Sequence, residues 1–461
     1  MQSETIHSLL ADVIRAGAAP GAAVYLSAPG EQIFAAAGTA SHDRPAPLEQ
    51  NSRFQLGCIT KLLTALVSLE FASETKLELG APIGRYLREL EGTPVGEGVR
   101  IRHLLSHTSG YQGFNVADPR VRFFSSWPKF IATMRERRRL FTPGLVFSYE
   151  HTEYVLLGEI LKRIADAPIY ELYRARIFDP LGIRCGHIAS DAADASRFVA
   201  EHVFDARTRT YASLRPPPHC EFWDASLSDL TMSLGDLALL ASAAAGWDQQ
   251  RVFSAATVAQ VRAGQTMLPY AHGGRQSEQM PVAFGLGLAE YSGAIFGHNG
   301  SARGHTCALR FDPESRLVLL VALNAWRPHV RDLLVAKIVE AYRQPGTAAR
   351  GETAPPDLVP VPGLYAGADG TSVEVSADER EVCCVMRGGA MNQELRILIS
   401  RNDRRPTAFQ SSAAHATVGF FTVPGADSVG LMLGLNAFLR IEPAEEISVS
   451  SGPSPASPKQ S

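Results

Sequence analysis

A chain of 461 residues, 45% hydrophobic and 20% charged, exceeds one typical domain and carries enough apolar material for a large core. Its formal net charge of −3, with no long basic tract, argues against nucleic acid or an anionic membrane as a partner. The six cysteines, at positions 58, 185, 220, 307, 383 and 384, show neither disulfide nor zinc spacing.

The chain opens on MQSETIHSLLADVIRAG, which lacks the positive start and unbroken apolar core of a signal peptide. Ile6, Leu9, Leu10, Val13 and Ile14 follow helical spacing and predict an amphipathic helix. No apolar run reaches membrane-spanning length, so the expectation is a cytoplasmic protein with no membrane partner. Residues 22–27 and 32–37 predict two short strands joined by a Pro-Gly turn. The next stretch, FQLGCITKLLTALVSLE at 54–70, is too apolar for a surface helix and predicts a central, buried one. Gly57 interrupts the strand-like run before it, leaving Cys58 near the helix N-terminus and Lys61 one turn further on. Residues three apart share a helix face, so thiol and ammonium are expected as neighbours. A helix N-terminus and an adjacent cation both favour thiolate over thiol. This stretch alone leaves open a buried structural cysteine beside a lysine that extends to solvent.

Further along, His103 and His107 are four apart in IRHLLSHTSG. With no third ligand at a recognisable spacing and no HExxH pattern, they read as structural histidines and no metal is expected. The basic run Arg135 to Arg139 reads as a solvated helix face. Residues 155–165 predict an amphipathic helix, 169–178 a further helical stretch, and 179–182 (DPLG) a turn. Residues 191–228, with three consecutive prolines, read as irregular chain of the kind that often frames a site. An Ala/Leu-rich helix follows at 233–245. Residues 284–290, 307–311 and 317–323 look like an antiparallel meander, closed by a helix over 330–342. Strands at both ends with helices between them predict an α+β fold whose sheet is assembled from distant pieces of chain. The organisation expected is a large domain over 1–343, a Gly/Ala/Pro-rich linker at 344–362, a small antiparallel β domain over 363–443, and a Ser/Pro-rich disordered tail at 444–461. Cys383 and Cys384 read as packing residues of one strand of the small domain.

Four phrases, CITK, FSYEHTEYVLLGEIL, FGHNGSARGHT and HLLSHTSG, together carry a resemblance. Over about residues 5–343 the chain resembles the serine β-lactamase and penicillin-binding-protein superfamily, in particular its class C β-lactamase, D-peptidase and esterase branch, with S-x-x-K, Y-x-N and H-x-G in that order. The resemblance implies a transpeptidase-like domain, an antiparallel sheet with flanking helices and a helical subdomain, and no cofactor. It places Cys58 at the nucleophile, Lys61 at the motif lysine, Tyr149 at the proton-shuttling tyrosine, and His298 with Gly300 on the strand beside the substrate, Asn299 lying between them. An oxyanion hole would come from the N–H groups of Cys58 and Ser301. Whether Lys61 or Tyr149 is the base stays open. Two departures stand out: cysteine replaces serine, and His151 replaces the asparagine that in the family holds the substrate amide and the lysine. Cysteine is itself a competent nucleophile, so a working thiol enzyme is the expectation.

With its small β domain the chain also resembles the penicillin-binding-protein-type thioesterases, cytoplasmic enzymes with a lipocalin-like second domain that release and cyclise nonribosomal peptides. That resemblance implies a peptidyl thioester substrate on a peptidyl carrier protein. It also implies an arginine of the lipocalin-like domain that reaches the cleft, for which Arg440 is the matching position. The alternatives are a cytoplasmic hydrolase of esters, amides or D-residue peptides on the same machinery, and a non-catalytic binder of acyl-D-amino acids.

Overall fold

The computed structural model describes residues 2–43, 45–111, 126–137, 139–184, 186–187, 197–205, 208, 210–214, 230–264, 266–267, 281–291, 295–302 and 304–342, together with the strand residues between 363 and 441. The larger domain is built on an eight-stranded antiparallel sheet in the order Glu31–Gly38, Gly21–Ala28, Leu317–Leu323, Thr306–Asp312, Ile295–Ser301, Ala289–Tyr291, Ala283–Phe284, Thr266–Met267. The N-terminal hairpin docks on a strand from far down the chain, with Ala22 opposite Leu323 and Ser27 opposite Val318. Leu317–Leu323 is buried at every position, which is why it reads as an unbroken apolar run.

Side chains alternate across this sheet and feed two cores. Ala23, Tyr25, Leu309, Phe311, Leu320 and Ala322 pack with the helical half of the domain, whereas Ala22, Val24, Leu26, Leu319 and Val321 pack with Ile6, Leu10, Leu334 and Ile338 of the terminal helices Gln2–Arg15 and Pro328–Tyr342. The central helix, Thr60–Ser73, buries eleven of its fourteen residues and forms the middle of the first core. Two of its buried polar residues are satisfied: Thr64 Oγ1 and the Tyr173 hydroxyl lie 2.7 Å apart, and Ser68 Oγ donates to Thr64 O at 2.8 Å. Tyr154, on the helix Thr152–Ala165, donates to Leu105 O at 3.0 Å and ties that helix to Ile101–Leu105.

Two expectations change. The single strand expected at 284–290 is two short ones, Ala283–Phe284 and Ala289–Tyr291, because Gly287 adopts φ +117 between them. A Cβ on Gly287 would overlap the Ala65 side chain, so this turn also lets the sheet touch the central helix. Within 191–228, where irregular chain was expected, the strands His202–Asp205 and Thr210–Ser213 form a pair. Both are half-exposed and lack the apolar alternation that marks the other strands. Most of the remaining residues of 191–228 lie outside the described ones.

Eight antiparallel strands from Gly363–Ala366 to Asn436–Ile441 each pair with the next, and the first pairs with the last, closing a barrel. Val373 and Val375 are buried while Glu374 and Ser376 are exposed, the inside–outside alternation of a small barrel. Cys383 and Cys384 lie on its strand Glu381–Gly388, their side chains outside the described ones. Residues 344–362 and 444–461, expected as linker and tail, also lie outside the described residues. Among the described residues no helix is long and apolar enough to cross a membrane.

Candidate active site

Strand Arg53–Gln55 pairs with Leu230–Ser233 and leads into a single tight turn, Gly57–Ile59, from which the central helix starts. Gly57 sits at φ +54, and a Cβ there would come within 2.6 Å of Ser301 O and 2.7 Å of Ser301 N. A Cβ on Gly300 would overlap Leu56 O. The turn that carries Cys58 and the strand Ile295–Ser301 therefore meet backbone to backbone, a contact only glycine permits. Gly57→Ala combines a strained φ, worth about 1–2 kcal/mol, with displacement of Ser301. Denaturant unfolding should show that loss, and Cys58 acylation should slow with it; an alanine variant with unchanged stability and rate would contradict this contact.

Cys58 is a partly exposed free thiol. Lys61, one turn on, is fully buried and lies beside that thiol. Its Nζ donates to His151 Nδ1 at 3.2 Å and lies 4.9 Å from the Tyr149 ring centre and 5.7 Å from that of Tyr154. Burial pulls the Lys61 pKa below the usual lysine value, against the opposing pull of Cys58, Glu150 and Glu153. The Tyr149 hydroxyl is enclosed and faces the Cys58 thiol without completing a hydrogen bond of normal geometry. Burial, then the neighbouring Cys58, raises its pKa well above 10.0. His298, 5% exposed, is pushed down to about 3 by burial and then by Lys61. Its Nδ1–H donates to Asn299 O at 2.6 Å. The Tyr149 ring lies 5.3 Å from that of His151 and 6.2 Å from that of His298.

Cys58, Lys61, Tyr149, His151 and His298 thus converge, with Gly300 and Ser301 against the Cys58 turn. His151, at the position expected to hold substrate and lysine, is bonded to Lys61; burial, then Lys61 and His298, hold its imidazole well below its usual pKa. Asn299 alternates with His298 and Gly300 along the strand, and its Oδ1 accepts from the buried Arg310 Nη2 at 2.8 Å. Arg440 is opposite Tyr365 in the barrel register, with its side chain outside the described ones.

A second layer was not read from the sequence. His103 is structural as expected, its Nδ1 accepting from Arg100 N at 3.2 Å at a helix start. His107 is not merely structural: its ring lies 4.3 Å from that of Tyr149, and its Nδ1 is 2.5 Å from Glu153 Oε2. Glu150, buried, accepts from Thr152 N at 2.8 Å and pairs with Arg137 at 3.3 Å. The solvated face expected for Arg135 to Arg139 therefore fails at Arg137, whose side chain is only 7% exposed. Glu150 needs that countercharge, since a buried carboxylate left alone is costly. Arg137→Met should destabilise the fold by about 3–5 kcal/mol, measured by denaturant unfolding, whereas a surface arginine would change it by less than about 1 kcal/mol.

Comparison with known proteins places this geometry in a lineage. Protein Rv1367c of Mycobacterium tuberculosis is 30% identical over 200 residues, 38% of this chain and 49% of that protein, so the chain spans about half the length of that relative. Penicillin-binding protein 4 of Amycolatopsis lactamdurans is 25% identical over 377 residues, covering 75% of this chain and 93% of the relative. The crystal structure of SurE shares the fold with a TM-score of 0.73 at 23% identity, covering 95% of this chain and 99% of SurE. A thiol, a buried lysine and a tyrosine gathered where the strand Ile295–Ser301 meets the central helix fall wholly inside residues 8–343, which match the family model for β-lactamase, and the chain belongs to that family.

Proposed function

We propose that the protein is an acyltransferase working through a Cys58 thioester, and specifically a stand-alone thioesterase that releases and macrocyclises a nonribosomal peptide from a peptidyl carrier protein. The observation that carries this reading is a partly exposed thiol beside a fully buried lysine. Lys61 or Tyr149 takes the thiol proton, and Sγ attacks the carbonyl carbon of the carrier-bound thioester. The N–H groups of Cys58 and Ser301 hold the oxyanion. Collapse breaks the bond to the carrier sulfur, which leaves with the proton as a free thiol. The peptide's own amine then attacks the acyl-Cys58, forming the amide and returning the thiol.

The choice of cysteine over serine supports transfer over hydrolysis. A thioester reacts with amines far more readily, relative to water, than an oxygen ester does. A cyclase gains product purity from that bias and a hydrolase gains little. In this reading His298 and Gly300 flank the acyl chain, His151 orients Lys61, and Arg440 of the lipocalin-like barrel pairs with the nucleophilic end of the peptide, a role suited to a planar guanidinium. A linear peptidyl thioester with a C-terminal D-residue should give mainly cyclic product by mass spectrometry, and Arg440→Ala should depress cyclisation more than acylation. Linear acid alone from every amine-bearing substrate would make the protein a hydrolase. A protein that binds such peptides but forms no adduct would be a binder.

A further inference from the structure

We propose that Glu153 is protonated in the resting protein and donates that proton to His107 Nδ1, making a neutral pair that positions Tyr149 and leaves Lys61 free to act as a base. The hydrogen bonds carry the argument. Glu150 N donates to His107 Nδ1 at 3.2 Å, and a backbone N–H can only donate, so this nitrogen presents a lone pair. The same nitrogen is 2.5 Å from Glu153 Oε2. Two acceptors do not sit that close, so the proton between them belongs to the carboxyl. Its other oxygen, Oε1, accepts from Ser109 N at 3.3 Å, a bond open to either protonation state.

The side chains of His107 and Glu153 are 0% and 3% exposed, so a charged pair here would carry a heavy desolvation cost. Burial and then Glu150 raise Glu153 well above the usual carboxyl range, while burial, Lys61, His298 and His151 lower His107. Arg137 and Tyr154 complete the titratable surroundings. An ionised Glu153 would add a second buried negative charge beside Lys61 and hold it as ammonium. Glu150 is already matched by Arg137, so a neutral Glu153 lets the amine lose its proton. The His107 ring, against Tyr149, then acts as a prop for the phenol.

The functional half of this inference rests on the acyl-transfer reading; the protonation state does not, and is read without turnover. Infrared difference spectra of the unsubstituted protein against Glu153→Gln at neutral pH should show the carbonyl stretch of one protonated carboxylic acid. Nitrogen-15 spectra of histidine-labelled protein should show His107 neutral, with its proton on Nε2. Absence of that band, or a His107 imidazolium, overturns the proposal. Glu153→Ala should slow Cys58 acylation about tenfold, the scale of one lost buried hydrogen bond, and Glu153→Gln, a neutral donor of similar shape, should restore most of that loss. Equal losses in both variants would mean that the carboxylate charge matters and would overturn the role assigned to the pair. A Cys58 that forms no acyl-enzyme, with the band present, sinks the acyl-transfer reading and leaves the protonation state standing.

Discussion

Cys58→Ala should abolish the covalent peptidyl adduct and lower turnover by as much as about 10⁶-fold, the scale seen when a covalent nucleophile is removed. Among the described residues no second thiol stands ready to replace it. Among the described cysteines the other free thiol is Cys307, fully buried, its Sγ donating to Gln55 O at 3.4 Å and its pKa pushed up by burial to about 12. Cys58→Ser is the more informative change, since it keeps a nucleophile of similar shape. A hydroxyl needs its proton removed more completely than a thiol does, so acylation should slow but persist. The resulting oxygen ester prefers amines less strongly, so the product should shift from cyclic peptide towards linear acid, or the ester should stall. Intact-protein mass spectrometry reads the adduct and product analysis reads its fate. A serine variant with an unchanged ratio of cyclic to linear product would show that the pocket, not the sulfur, decides partition.

The strongly periodic parts of this fold were legible in the sequence. Leu317–Leu323 is an uninterrupted apolar run because it lies mid-sheet with both faces covered, and Thr60–Ser73 is apolar all round because it is enclosed. The phrase CITK placed Cys58 and Lys61 on adjacent turns because that relation is local. What stayed hidden depends on contacts between distant segments. His107 and Glu153 are 46 residues apart, and nothing in either neighbourhood signals their bond. Arg137 looked like one of several solvated charges, and only the fold brings it to Glu150. His151 was placed by position among the groups that hold substrate and lysine, and the fold shows which ring nitrogen Lys61 takes, its Nδ1. Gly57 announced a break before the central helix and Gly287 passed unnoticed inside an expected strand, and neither signalled that the glycine also clears room for a second segment.

Lys61→Ala and Tyr149→Phe should each slow acylation by about 10²–10⁴-fold, the usual worth of general acid–base assistance. The thiol needs less help than a hydroxyl, which favours the lower end of that range. The two variants should differ in their pH profiles. Burial disfavours the charged form of Lys61 and pulls its pKa below the usual lysine value, so the neutral amine becomes available at lower pH than in a solvated lysine. Acylation limited by that base should rise with pH along a limb set by Lys61 and level off once the amine is neutral. Tyr149 runs the opposite way: burial and Cys58 hold its phenol protonated well above 10.0, so over the same range it serves as a hydroxyl that passes a proton on. Tyr149→Phe should therefore lower the whole profile and keep the limb, whereas Lys61→Ala should remove it. Single-turnover acylation of a peptidyl thioester, followed across pH for the three proteins, makes the distinction. A limb that survives Lys61→Ala but vanishes in Tyr149→Phe would transfer the role of base to the phenol.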